Sequence, residues 1–277
     1  MVGFLNFLVA VMPLLYGLAA VNYLVYFLRD DPFAERTCSG CLGAAVAVHV
    51  LFTALWSIHY GHHPVSSLPE ALSIIGLSVA CVYLYVEQIQ KQRTTGAFIV
   101  PVVVLFQLAA SALLPQAPTA EAASIYAGNP LFGFHIVMAV FGYSAFALSA
   151  VYGIMFLVMY RALKSGRFGL MFERLPSLDV LSGMAFGATI LGWGMLTVAI
   201  VLGAGMSLEH FPGFYTDPKF ISTLAVWLVY ATAVGTYFGL NWRGARAVYL
   251  SLTGFVFAVV ATVGSTFVWS TFHAFLS

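Results

Sequence analysis

Charge is scarce in this sequence. Asp, Glu, Lys and Arg make up only 8% of its 277 residues, against about a quarter in an ordinary soluble domain. With 61% hydrophobic residues and a mean hydropathy of +0.96, too little polar surface is available to cover the apolar side chains, so a water-soluble globular fold is excluded. The net charge of +1 removes the electrostatic case for nucleic acid as a partner. Three cysteines are too few for a disulfide framework. No P-loop, no G-x-G-x-x-G after a strand, no G-x-S-x-G and no H-E-x-x-H appears, so no conventional catalytic machinery is visible.

What the sequence has in abundance is long apolar runs. A membrane span needs about 20 mostly apolar residues. Eight segments meet this: 5–28, 42–60, 71–88, 97–114, 131–160, 178–204, 220–240 and 247–274. Polar, Gly or Pro punctuation such as Arg29-Asp30-Asp31-Pro32, His62-His63-Pro64 and Gly128-Asn129-Pro130 separates them. The residue-by-residue alternation of barrel strands is absent, which leaves helices as the spanning element. The fold class is therefore all-α: a polytopic membrane protein of about eight transmembrane helices, with residues 1–277 forming a single transmembrane domain. The first run, Leu5 to Leu28, is longer than the roughly 7–15 residues of a signal-peptide core and has no basic region before it, so it reads as a retained helix.

The eleven basic residues orient the chain. Arg29, Arg36, Lys91, Arg93, Arg161, Lys164, Arg167, Arg174, Arg243 and Arg246 fall in the segments after spans one, three, five and seven, and Lys219 alone lies on the other side. Positive loops stay cytoplasmic. Both the N-terminus and the C-terminus are therefore expected outside.

Orientation makes the histidines informative. His59, His62, His63 and His210 read as outer-loop residues, while His135 and His273 fall near the outer ends of spans five and eight. Neutral imidazole is a common metal ligand and an axial ligand of haem iron. Six imidazoles at one face can bind a cofactor, or can be interfacial histidines that snorkel into headgroups. His135 and His273 stand at similar depth on two helices, from which two imidazoles can approach one iron. His49, deeper in span two, is either a deep ligand or a hydrogen-bonded packing residue. Glu70 reads as a helix-start cap that can also pair with a histidine of the same loop, and Glu87 as a solvated helix end. Asp179 reads as a further capping acid. Cys38-Ser39-Gly40-Cys41 has the spacing of a redox or metal pair, but in a cytoplasmic loop it is expected to hold free thiols.

Several stretches resemble the cytochrome c assembly family. They are His62-His63-Pro64-Val65-Ser66-Ser67-Leu68-Pro69-Glu70-Ala71-Leu72-Ser73 with Tyr83-Leu84-Tyr85-Val86-Glu87, His135 with Gly142-Tyr143-Ser144-Ala145-Phe146, and Asp217-Pro218-Lys219 with Trp227 and Tyr230. Asn241-Trp242-Arg243-Gly244-Ala245-Arg246 and the segment from Gly264 through Phe272-His273-Ala274-Phe275 follow in the same order. The chain departs from the haem-exporting members at two places. The segment before Asp217 is aromatic but lacks tryptophan, and Gly235 stands where those members carry a membrane histidine. This places it nearer the HemX and YpjD branch.

The resemblance implies a haem-handling protein of cytochrome c maturation in the bacterial cytoplasmic membrane. It implies haem b as cofactor, His135 and His273 as its iron ligands, and His49, Asp217 and Trp227 as further haem-site candidates. Expected partners are haem, an apocytochrome c or other maturation subunits, and membrane lipid. Any haem attachment would rely on the thiolates of an apocytochrome Cys-x-x-Cys-His segment. The competing reading is a haem-free structural or regulatory subunit, HemX-like, of a tetrapyrrole-pathway or respiratory complex.

Overall fold

A computed structural model describes residues 1–65, 67–113, 129–166, 168–210 and 213–267. Among them are nine α-helices and no strand: α1 (Val2–Arg29), α2 (Pro32–Tyr60), α3 (Leu68–Gln90), α4 (Gly96–Leu113), α5 (Pro130–Ser165), α6 (Leu170–Arg174), α7 (Leu178–His210), α8 (Pro218–Gly239) and α9 (Ala245–Phe267). All but the short α6 are long and apolar enough to cross a membrane, which is the expected all-α, eight-span architecture. Large apolar side chains such as Leu14, Ile58 and Phe238 are exposed, as they are when lipid is the solvent.

The punctuation in the sequence becomes helix caps. Asp30 ends α1 in the left-handed conformation, and the Asp31 carboxylate then accepts from the Ala34 N–H with Pro32 just inside α2. A proline there loses no intrahelical bond, so two residues suffice to reverse the chain. Ser67 and Glu70 form a reciprocal capping box at the start of α3, satisfying two otherwise orphaned N–H groups. Glu70 therefore caps as expected.

Several boundaries differ from the hydropathy reading. α2 begins ten residues before the expected 42, so Cys38 and Cys41 stand on a helix and not in a loop. Cys38 is buried, and the Asn22 amide approaches the Cys41 sulfur at 3.6 Å; all three cysteines are free. His59 belongs to the last turn of α2 and His210 to α7, so neither is a loop residue. Caps, which a hydropathy window does not weigh, decide where a helix stops.

Contacts gather the chain into two compact units, Met1–Pro130 and Leu131–Ser277. In the first, α1 packs on α2 and α4, and α3 packs on the same two helices, closing a four-helix ring. In the second, α7, α8 and α9 pack on one another. α5 approaches α7 where Gly142 meets the Gly192 carbonyl, and a Cβ at Gly192 would lie 2.6 Å from the Phe146 ring. Small residues at such crossings let membrane helices approach closely.

Candidate functional site

His135 lies in the second turn of α5, partly buried against α7. Its Nδ1 is 2.8 Å from the Ala199 carbonyl oxygen. A carbonyl only accepts, so Nδ1 carries the proton, and in the neutral ring Nε2 keeps a lone pair. Nε2 has no hydrogen-bond partner among the described residues. Phe132, one turn earlier, stacks on the imidazole at 6.5 Å between centroids. Metal-bound histidines commonly donate their second ring N–H to a carbonyl or carboxylate in this way.

Trp227 on α8 uses its indole N–H to bond the Thr197 hydroxyl at 2.8 Å, and its ring stacks on Trp193 at 5.6 Å. Thr197 stands two residues before Ala199 on α7. Trp227 thus clamps α8 to the stretch of α7 that holds His135. Asp217 is buried and caps α8, accepting from the Lys219 and Phe220 N–H groups at 2.8 and 3.2 Å. Lys219, the expected outer cation, lies close enough for its charge to act on His135. Three of the residues singled out in the sequence, His135, Asp217 and Trp227, therefore belong to one unit. His273 lies outside the described residues.

His49 belongs to the first unit and is fully enclosed. Nδ1 is 3.0 Å from the Tyr16 hydroxyl and Nε2 is 2.9 Å from the Ser73 hydroxyl. The chain continues from Ser73 to Gln107 Oε1 at 3.3 Å, from Gln107 Nε2 to Ser111 at 3.5 Å, and from Ser111 to the Val9 carbonyl at 2.8 Å. The terminal carbonyl sets the direction of every donor: Ser111 donates to it, Gln107 to Ser111, Ser73 to Gln107, His49 Nε2–H to Ser73, and Tyr16 to His49 Nδ1. The hydrogen-bonded chain touches all four helices of the unit and occupies both ring nitrogens of His49.

The two buried acids of this unit occupy opposite ends of α3, 17 residues apart, or about 25 Å at the helical rise. Glu70 accepts from the Trp56 indole N–H at 2.8 Å, with His62 Nε2 3.7 Å away. Beside it opens a small cleft lined by Phe52, Thr53, Trp56, Pro64, Glu70, Ser73 and Ile74. Glu87 is not a solvated helix end: only 2% of it is exposed. It accepts from Tyr23 at 2.6 Å and from the Ser39 hydroxyl, with Arg93 4.0 Å away. Chain reversals fold the end of α3 back onto α1 and α2, which hydropathy does not foresee.

Among the described residues no three His, Cys, Asp or Glu side chains gather as a metal site. A macrocycle that brings most of its own metal ligands would ask the protein for only one or two more, and His135 keeps one unprotonated ring nitrogen. Tyr16, Gln107, Ala199 and Gly203 were not singled out in the sequence. Tyr16 and Gln107 carry a faint signal, a hydrogen-bonding group inside an apolar run; Ala199 and Gly203 carry none.

Comparison with known proteins agrees with this architecture. The model of a family described as Cytochrome C assembly protein matches residues 65–273. Protein HemX of Brevibacillus brevis is 29% identical over 267 residues, covering 94% of this chain and 94% of the relative. The cytochrome c biogenesis protein CcsA of Heterosigma akashiwo (strain NIES-293 / 8280G21-1) is 25% identical over 251 residues, covering 78% of each. Protein HemX of Bacillus subtilis (strain 168) is 25% identical over 223 residues, covering 78% of this chain and 79% of the relative. With a family match across most of its length and the helical membrane fold in place, the chain belongs to the cytochrome c assembly family.

Proposed function

We propose that this protein is a haem-handling membrane protein of cytochrome c maturation. In this reading His135 and His273 would hold the iron of haem b at the outer membrane face. The observation that carries the reading is the state of His135: Nδ1 is committed to the Ala199 carbonyl at 2.8 Å and Nε2 remains a lone-pair donor on a rigid helix. Bound there, haem would supply a redox-active iron whose potential two imidazoles tune.

The protein's own residues do the positioning. α5 presents the imidazole, Trp227 ties α8 to the supporting stretch of α7, and Asp217 fixes the start of α8. Lys219, in the first turn of α8, would offer a counter-charge to the carboxylates of a tetrapyrrole. His49, with both nitrogens in the hydrogen-bonded chain, acts at a distance by rigidifying the first unit. The partners in this reading are haem, an apocytochrome c or other maturation subunits, and the lipid of a bacterial cytoplasmic membrane, with both chain termini outside.

The test is the absorption spectrum of the protein purified from haem-replete cells. A low-spin haem spectrum is expected. His135→Ala or His273→Ala should strip or convert it, and added imidazole should partly restore it. An unchanged spectrum in the double variant would refute the ligand pair. Protein that carries no haem under ample supply would favour the haem-free structural subunit.

A further inference from the structure

We infer that Gly203 and the Ala199 carbonyl form a cradle that sets the tautomer and direction of the His135 imidazole. The two residues are one helical turn apart on α7, where the Ala199 carbonyl also accepts the Gly203 N–H of the helix ladder. The His135 ring lies in the groove above Gly203. A Cβ built there would stand 2.7 Å from Cε1, 2.9 Å from Nδ1 and 3.5 Å from Nε2. The Nδ1–Cε1 edge therefore faces the glycine, and Nε2 is the farthest of the three atoms. Only hydrogen at position 203 lets the ring settle deep enough to reach the carbonyl at 2.8 Å.

The glycine has no conformational reason to be there. It sits inside a continuous helix, where glycine is disfavoured relative to alanine, and its φ lies outside the left-handed region. Its space is occupied by the imidazole. Gly205, two residues on, has no atom within 4 Å of the place its Cβ would take, so close approach distinguishes position 203 on this stretch. An alanine at 203 pushes the ring back by several tenths of an ångström. Because His135 is a side chain with two rotatable bonds, the ring swings away while the helix remains intact. The predicted lesion is a misdirected ligand in a folded protein.

Gly203 is thus a positioning residue. Its functional consequence rests on the reading of His135 as an iron ligand, but the tautomer it enforces exists without haem. The experiment uses the full chain, haem-free, in lipid nanodiscs with 15N-labelled histidine, the His135 signals being assigned by their loss in His135→Gln. Two-bond 1H–15N correlations should report a protonated Nδ1 and an unprotonated Nε2 at His135. Gly203→Ala should abolish that single-tautomer pattern, and Gly205→Ala should leave it intact. A protonated Nε2 in the unmodified protein, or an unchanged pattern in Gly203→Ala, would overturn the inference.

Haem is then added to the same samples. Gly203→Ala should lose or convert the low-spin spectrum that Gly205→Ala retains, and identical spectra would overturn the positioning role. If the tautomer results hold but His135→Ala leaves the haem spectrum unaltered, the ligand reading is what fails, and with it the functional half of the cradle.

Discussion

Replacing His49 with alanine removes both hydrogen bonds that link Tyr16 to Ser73. The two partners are enclosed, at 0% and 4% exposure, so bulk water cannot take the place of the ring. Interhelical hydrogen bonds inside a membrane are worth about 0.6 kcal/mol on average and about 1.7 at most, so the pair contributes about 1–3 kcal/mol. The void left by the imidazole among Tyr16, Phe52 and Ser73 adds about 1 kcal/mol. His49→Ala should therefore destabilise the protein by about 2–4 kcal/mol, and Tyr16→Phe, which breaks one bond, by about 1 kcal/mol.

The two losses should not add. Once His49 is gone, the Tyr16 hydroxyl is a buried donor without an acceptor, and removing it becomes nearly neutral. A double-mutant cycle in bicelles, read by steric-trap unfolding, should give a coupling of about 0.6–1.7 kcal/mol. Haem content per folded molecule should be the same in all four proteins. Additive costs, or a His49→Ala protein of full stability that has lost its haem spectrum, would refute the network reading and return His49 to the ligand set.

Asp217→Ala should cost about 1 kcal/mol by stripping the cap of α8, whereas Asp217→Asn, which also caps, should cost a few tenths; equal losses in thermal unfolding would show that charge, and not capping, is what matters. A periplasmic phosphatase fused to the C-terminus should be active, as the ten-to-one distribution of basic residues requires; an inactive fusion alongside a working cytoplasmic fluorescent reporter would overturn the orientation.

The membrane class and the eight spans were legible because each follows from local chemistry, whereas the helix starts at Pro32, Leu68 and Pro218 fall before the expected 42, 71 and 220. Lipid demands an unbroken apolar run from every span, and Asp31-Pro32, Ser67 to Glu70 and Asp217-Pro218 carry their capping instructions within four residues. The family was legible for a related reason, since its motifs are short and keep their order. His135 was legible as a candidate from its depth and from the family resemblance around it, whereas its lone-pair state was not. That state depends on Ala199 and Gly203, 64 and 68 positions later in the chain, and on a hydrogen atom where any other residue has a side chain.

His49 and Glu87 make the same point from the first unit. In the sequence, a histidine inside a span is compatible with ligation or with packing, and an acid at its end with solvation. Which holds depends on Tyr16, Ser73, Tyr23 and Ser39, contributed by other helices of a closed four-helix ring. Spans arise from the solvent around each segment, so the sequence by itself determined them. The roles of buried polar groups arise from hydrogen-bond partners brought together by packing, and only the tertiary structure decided those.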